Sequence, residues 1–168
     1  MMKEQLIVNG EAFNVSISKD GNVHTAVILE DDGKTTTVIE MDEETGEVTY
    51  NGIPVLQETI STNGLTEIGI LSNWGSPSTN VYSLALVGWG IPAIVTLLSM
   101  KFGVPLSSGA NIANIIIGAG GFLYVKEVVR LNFVDYVPKV GYRITTSLHV
   151  TRNPTGNSLF TRTVTGSR

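Results

Sequence analysis

The sequence predicts an α+β chain: an N-terminal antiparallel β-meander, a central Gly-rich apolar helical hairpin and a C-terminal β-hairpin. Three observations carry this expectation. Short alternating segments separated by Asn-Gly and Asp-Gly dipeptides fill the first third. No charged residue lies between Glu67 and Lys101, or between Lys101 and Lys126. The last third returns to alternation, with arginines and hydroxyls on one side.

In the first third, Phe13, Val15 and Ile17 alternate with Asn14, Ser16 and Ser18, the period of a half-buried strand. Strands are also expected over Val23–Leu29, Thr35–Met41, Val48–Tyr50 and Ile53–Leu56. Asn9-Gly10, Asp20-Gly21, Asp32-Gly33, the run Asp42–Gly46 and Asn51-Gly52 supply the turns, because these residues tolerate positive φ. The acidic turns do not match a calcium loop: counting from Asp42, the sixth residue is Glu47 where glycine is needed, and the twelfth is Ile53 where glutamate is needed.

The centre is apolar. Val81 to Ser99 is long enough to cross a bilayer core as a helix, which takes about 20 apolar residues. A second run, with Ile115-Ile116-Ile117 followed by Gly118-Ala119-Gly120-Gly121, forms the other arm of the hairpin, joined through Lys101–Pro105. Gly88, Gly90 and Pro92 lie inside the first run, and in the interior of a water-exposed helix they would cost about 1, 1 and 3 kcal/mol relative to alanine. Membrane helices tolerate them better. Ala110, Asn114 and Gly118 repeat at four-residue spacing, as do Ala113, Ile117 and Gly121, and the first set gives one face a small or hydrogen-bonding surface that suits close helix packing. The same apolar runs also fit strands buried on both faces with the glycines in turns. The glycine cluster is not a dinucleotide fingerprint, because Leu123 occupies the place of the third glycine.

In the last third, Lys126 and Arg130 share a helical face, while Leu131 and Phe133 fit a strand equally well. Tyr142, Ile144, Leu148 and Val150 fall on one side of an alternating run; Arg143, Thr145, Ser147 and His149 fall on the other. Asn153–Asn157 forms a turn and Ser158–Thr165 the returning strand. The expected segments are therefore an acidic meander over 1–67, a linker over 68–80, the apolar hairpin over 81–130 and a basic β-hairpin over 131–168.

Composition bounds the function. The 168 residues are 42% hydrophobic and 15% charged, against a usual ~25% charged, which excludes a disordered chain. With no cysteine there is no disulfide scaffold or thiolate metal site. The net charge of −4 conceals a division: thirteen acids and three lysines from Met1 to Glu67 give −10, and eight basic residues with two acids from Ile68 to Arg168 give +6. No H-E-x-x-H or G-x-S-x-G motif occurs, and the two histidines, His24 and His149, lie in opposite halves. No enzyme activity, cofactor, metal, small-molecule substrate or specific nucleic acid is expected.

The expected function is that of a membrane-active bacterial peptide or toxin precursor, bacteriocin-like and pore-forming. In it, the acidic β-domain shields a basic, Gly-rich part that inserts into membranes. Leu84, Val87, Trp89, Ile91, Ile94, Leu97, Ile115, Ile116, Ile117 and Phe122 would enter lipid; Lys126, Arg130, Arg143, Arg152 and Arg162 would meet the anionic surface. The expected partner is an anionic lipid membrane, with self-association. Two alternatives are a small resident membrane protein anchored by the hairpin, and a soluble β-rich structural or assembly subunit with the apolar segment buried. The first residues hold no apolar run of secretory length, so the expected location is membrane-associated, or outside the cell by a non-classical route.

Overall fold

The computed structural model describes residues 2–8, 10–29, 36–63, 78–133, 140–152, 154 and 157–167. It is an α+β chain with two antiparallel sheets and two central helices. Contacts divide it into two units, each drawn from two stretches of sequence: 1–56 with 85–122, and 57–84 with 123–168. The helices therefore belong with the N-terminal sheet.

In the first unit, strands β1 (Met2–Val8), β2 (Glu11–Asp20), β3 (Val23–Leu29), β4 (Thr36–Asp42), β5 (Val48–Tyr50) and β6 (Ile53–Pro54) lie side by side in chain order. This is the expected meander. The register places Leu6 opposite Phe13, Val15 opposite Ile28 and Ala26 opposite Ile39. Directly opposed residues share a face, so Leu6, Phe13, Val15, Ala26, Ile28, Ile39, Met41 and Val48 form one buried face. Asn51 and Gly52 both have positive φ in the tight turn joining β5 to β6, the geometry of a type I′ hairpin. The expected Asp32-Gly33 turn lies outside the described residues.

The apolar run from Val81 to Ser99 is not one helix. Its first part is the end of β8 (Ser78–Ala85), a strand of the second unit that also takes in the last residues of the expected linker. Gly88, with φ +85°, then turns the chain, and helix α1 begins at Ile91 and runs to Phe102. Pro92 sits in its first turn, where an amide has no intrahelical acceptor to lose. The interior penalties expected for Gly88, Gly90 and Pro92 therefore do not arise, because all three stand at or before the helix start. Gly103 closes α1 in the left-handed conformation, its N–H donating to the Ser99 carbonyl and the Val104 N–H donating to that of Leu98. Helix α2 (Leu106–Gly118) follows after a bend of 117°.

Helix α1 is buried without a break from Ala93 to Leu98. A helix apolar all round must have partners on more than one side. These are the apolar sheet face, reached at β1, β3 and β4, and α2. The Tyr50 and Trp89 rings stack at 4.5 Å between centroids, fixing the chain just before α1 onto the sheet. The two helices pack tightly at Gly109, where an added Cβ would lie 2.8 Å from Val95 Cγ1. The packing face of α2 is thus Gly109, Ile112, Ala113 and Ile116. The spacing of Ala110, Asn114 and Gly118 suggested another face, but Asn114 and Gly118 are exposed.

In the second unit the order is β11-β10-β9-β8-β7. Here β7 is Gln57–Asn63, β9 Phe122–Phe133, β10 Val140–His149 and β11 Phe160–Ser167. The expected C-terminal hairpin is β10 with β11, and β9, ambiguous by pattern, is a strand paired with β10. Within the expected Asn153–Asn157 turn, 153, 155 and 156 lie outside the described residues.

The contact at Gly109 gives a paired prediction. Gly109→Ala should destabilise the protein by about 1–3 kcal/mol through overpacking against Val95. Gly118→Ala, with open space around the new methyl, should be neutral or stabilising. Thermal or urea unfolding of the two variants against wild type checks this.

Candidate functional site

Two surfaces concern the expected functional residues. The first is the hairpin. Among the described residues no single helix is long and apolar enough to cross a membrane, but α1 and α2 together reach that length and hydropathy as a bent pair. The residues expected to enter lipid divide by environment. Trp89, Ile94, Leu97 and Ile116 are buried inside the first unit, and Ile91 partly so. Leu84 is buried on β8 and is not part of the hairpin. Val87 (61%), Ile115 (46%), Ile117 (43%) and Phe122 (40%) are exposed. Lys101, beside the only break between the helices, donates to the Gly46 carbonyl at 3.4 Å and stands over the Phe102 ring.

The second surface is one face of the five-stranded sheet. Register sets Arg130 opposite Arg143, Val128 opposite Thr145, Lys126 opposite Ser147 and Tyr124 opposite His149. On the next strand Thr161, Thr163 and Thr165 oppose Ser147, Thr145 and Arg143. Three of the five expected anionic-surface residues, Lys126, Arg130 and Arg143, are therefore brought onto one face. Arg152 is exposed and paired with Glu58 at 3.4 Å. Arg162 opposes Thr146 and so lies on the other face. Its Nε is buried with no hydrogen-bond partner among the described residues.

That other face carries a polar row among apolar neighbours. Arg162 opposes Thr146, which opposes Glu127, and the Tyr82 hydroxyl donates to Glu127. Burial, reinforced by the Glu127 charge, pushes the Tyr82 phenol well above its usual range, so it stays a neutral donor. The sequence pattern carries no sign that Tyr82 and Glu127 are partners, because their meeting depends on β8 lying beside β9.

His149 lies on the basic face and is buried. Its Nε2 is 2.7 Å from the Ser147 hydroxyl. Burial, with Lys126 adding to it, lowers the imidazole pKa, while a backbone hydrogen bond with Asn157 opposes the shift. In the first unit Glu43 is held below the usual carboxylate range by Lys19 at 3.1 Å, with His24 at 3.5 Å contributing. Lys19 and Glu43 are exposed and His24 is half-buried. Among the described residues no group of three or more His, Asp or Glu could hold a metal ion.

Charge follows the units. The first holds eleven acids and four lysines, a net of −7; the second holds seven basic residues and four acids, a net of +3. No family model, curated protein or solved structure matches this chain.

The lowered pKa of His149 fixes a sign. The unfolded chain binds the proton more readily than the folded one, so stability is complete above the ordinary histidine pKa of 6.5 and falls as the pH drops through and below it. Chemical unfolding followed across that range should show the loss, and His149→Gln should flatten it.

Proposed function

We propose that this chain is a membrane-active protein held in a closed form, a toxin or antimicrobial precursor whose acidic sheet shields its helical hairpin. Its partner is an anionic bilayer. The observation that carries the proposal is the burial of α1 from Ala93 to Leu98 against the acidic unit's own sheet, by a helix pair that has the length and hydropathy of a broken membrane span.

The energetics of release favour a shield. Lipid would return to Ile94, Leu97 and Leu98 what they lose on leaving the protein, since hydrocarbon is as apolar as a core. It would not cover Ala26, Ile28, Ile39 and Met41, now buried on the sheet. Each large apolar side chain left in water costs about 1.5–3 kcal/mol, so the closed form resists opening until the sheet is removed or weakened. The basic face on the second unit supports the choice of an anionic surface, where each nearby Lys or Arg contributes about 1 kcal/mol.

A second reading is favoured by the same burial: a β-rich structural or assembly subunit in which α1 is simply core. The two differ in what happens when the shield fails. Dye release from phosphatidylglycerol vesicles is measured with wild type, Ile39→Asp, and Ile39→Asp combined with Ile94→Asp. Charging the buried Ile39 position loosens the sheet. The shielded-precursor reading expects release to rise severalfold with Ile39→Asp and to fall back when α1 is also made polar. If Ile39→Asp loosens the fold by circular dichroism yet releases no more dye than wild type, the assembly reading stands.

A further inference from the structure

The strand repeat brings a hydroxyl and an imidazole together on β10. Ser147 and His149 are one repeat apart and share a face, and Ser147 Oγ lies 2.7 Å from His149 Nε2. The ring's other hydrogen bond is with the Asn157 backbone, and it favours the protonated imidazole. The ring is therefore the donor and the Asn157 carbonyl the acceptor. Nε2 faces Ser147, which leaves Nδ1 to make that bond. In the neutral ring Nε2 then carries the lone pair, and the Ser147 hydroxyl donates to it. Burial, with Lys126 nearby, favours that neutral ring at neutral pH. Ser147 is half-buried, and its partner on β11, Thr161, is exposed, so the face is open to solvent at this level. Its partner on β9 is Lys126. One strand repeat along the same face, Val128, Thr145 and Thr163 border an open hollow of about 320 Å³.

From this geometry we infer that Ser147 is a nucleophile and His149 its general base, acting on short-chain carboxylic esters. A serine hydroxyl is a weak nucleophile until an adjacent base takes its proton, and that base is oriented by a third group. Here the third group is the Asn157 carbonyl. In the first step Ser147 Oγ bonds to the ester carbonyl carbon, its proton passes to Nε2, and the carbonyl π pair moves onto oxygen. The Lys126 ammonium, across the strand pair from Ser147, attracts that oxyanion. Collapse of the intermediate breaks the bond to the alcohol oxygen, which leaves with the proton from Nε2. Water then adds to the acyl-serine and gives a proton to Nε2. Ser147 departs, recovers that proton, and the carboxylic acid is released. The neighbouring hollow, with two threonines and one valine, has room for a short acyl chain. This activity goes beyond action on a membrane and does not rest on it.

The test is covalent labelling of the full chain with an alkyl fluorophosphonate, which phosphonylates a base-activated serine and expels fluoride, followed by peptide mapping. Wild type should gain an adduct at Ser147. Ser158, whose hydroxyl pairs with that of Thr161 at 2.5 Å instead of with an imidazole, should gain none. His149→Gln should slow the labelling about a hundredfold or more, the usual contribution of a general base, and Lys126→Gln should slow it by a smaller factor. Circular dichroism checks that each variant is folded, and the wild-type adduct is read without any variant. Wild type should also hydrolyse p-nitrophenyl acetate faster than Ser147→Ala does. No adduct at Ser147 in wild type, labelling of folded His149→Gln at the wild-type rate, or equal ester hydrolysis by wild type and Ser147→Ala overturns the inference and leaves the Ser147–His149 hydrogen bond a structural one.

Discussion

Helix α1 has water on almost none of its surface, and much of the first unit is arranged to keep it so. Six successive buried residues, Ala93 to Leu98, leave no polar stripe to face solvent, so the helix needs a partner on each side. The sheet supplies one through the single apolar face that its alternation creates. Helix α2 supplies the other, and it can approach closely because Gly109 has no side chain to meet Val95. The stacked rings of Tyr50 and Trp89 tie the entry of α1 to β5, and the Lys101–Gly46 hydrogen bond ties its exit to the turn before β5. With one sheet face committed to α1, most of the described acids of the meander lie in turns, at strand ends or on the opposite face, where Glu40 is exposed; Glu4, opposite Val15 on the edge strand β1, is also exposed.

The second sheet follows a different logic. Its two faces differ in polarity because residues that alternate along β9 and β10 are paired in register. One face sets Leu123, Val125 and Leu148 beside a row running from Arg162 through Thr146 and Glu127 to Tyr82. Such a row is tolerated in a buried setting where its members satisfy one another, and Tyr82 with Glu127 does so. The other face gathers Lys126, Arg130 and Arg143 with hydroxyls between them.

The division of charge along the chain survives folding in reduced form. The first unit keeps a net of −7 and the second +3, because Lys101 belongs to the first unit's stretches and Glu58 and Glu67 to the second's. Glu58 then pairs with Arg152, while the three cations on the shared face remain together. Charge of this kind governs association more than fold, which is why the basic face and the covered hairpin are separate contributions to the proposed action on a membrane.

The meander was legible in the sequence because its signals are local: alternation of Phe13, Val15 and Ile17, and turn dipeptides such as Asp20-Gly21 and Asn51-Gly52, act within a few residues. The C-terminal hairpin was legible for the same reason, and the separation of Arg143, Thr145, Ser147 and His149 from Tyr142, Ile144 and Leu148 is what the register shows. The centre was less so. An uninterrupted apolar run does not reveal its own period, and only the turn at Gly88 and the burial of both parts divide Val81–Ser99 between a strand and a helix. Lys126 and Arg130, four residues apart, share a face in either conformation, since four is close to one helical turn and equal to two strand repeats. Tertiary structure alone decided which arginines stand together, which side chains α1 meets and which glycine lets α2 approach. Those outcomes depend on pairings between residues far apart in sequence, and a pattern read along one segment carries no information about its neighbour.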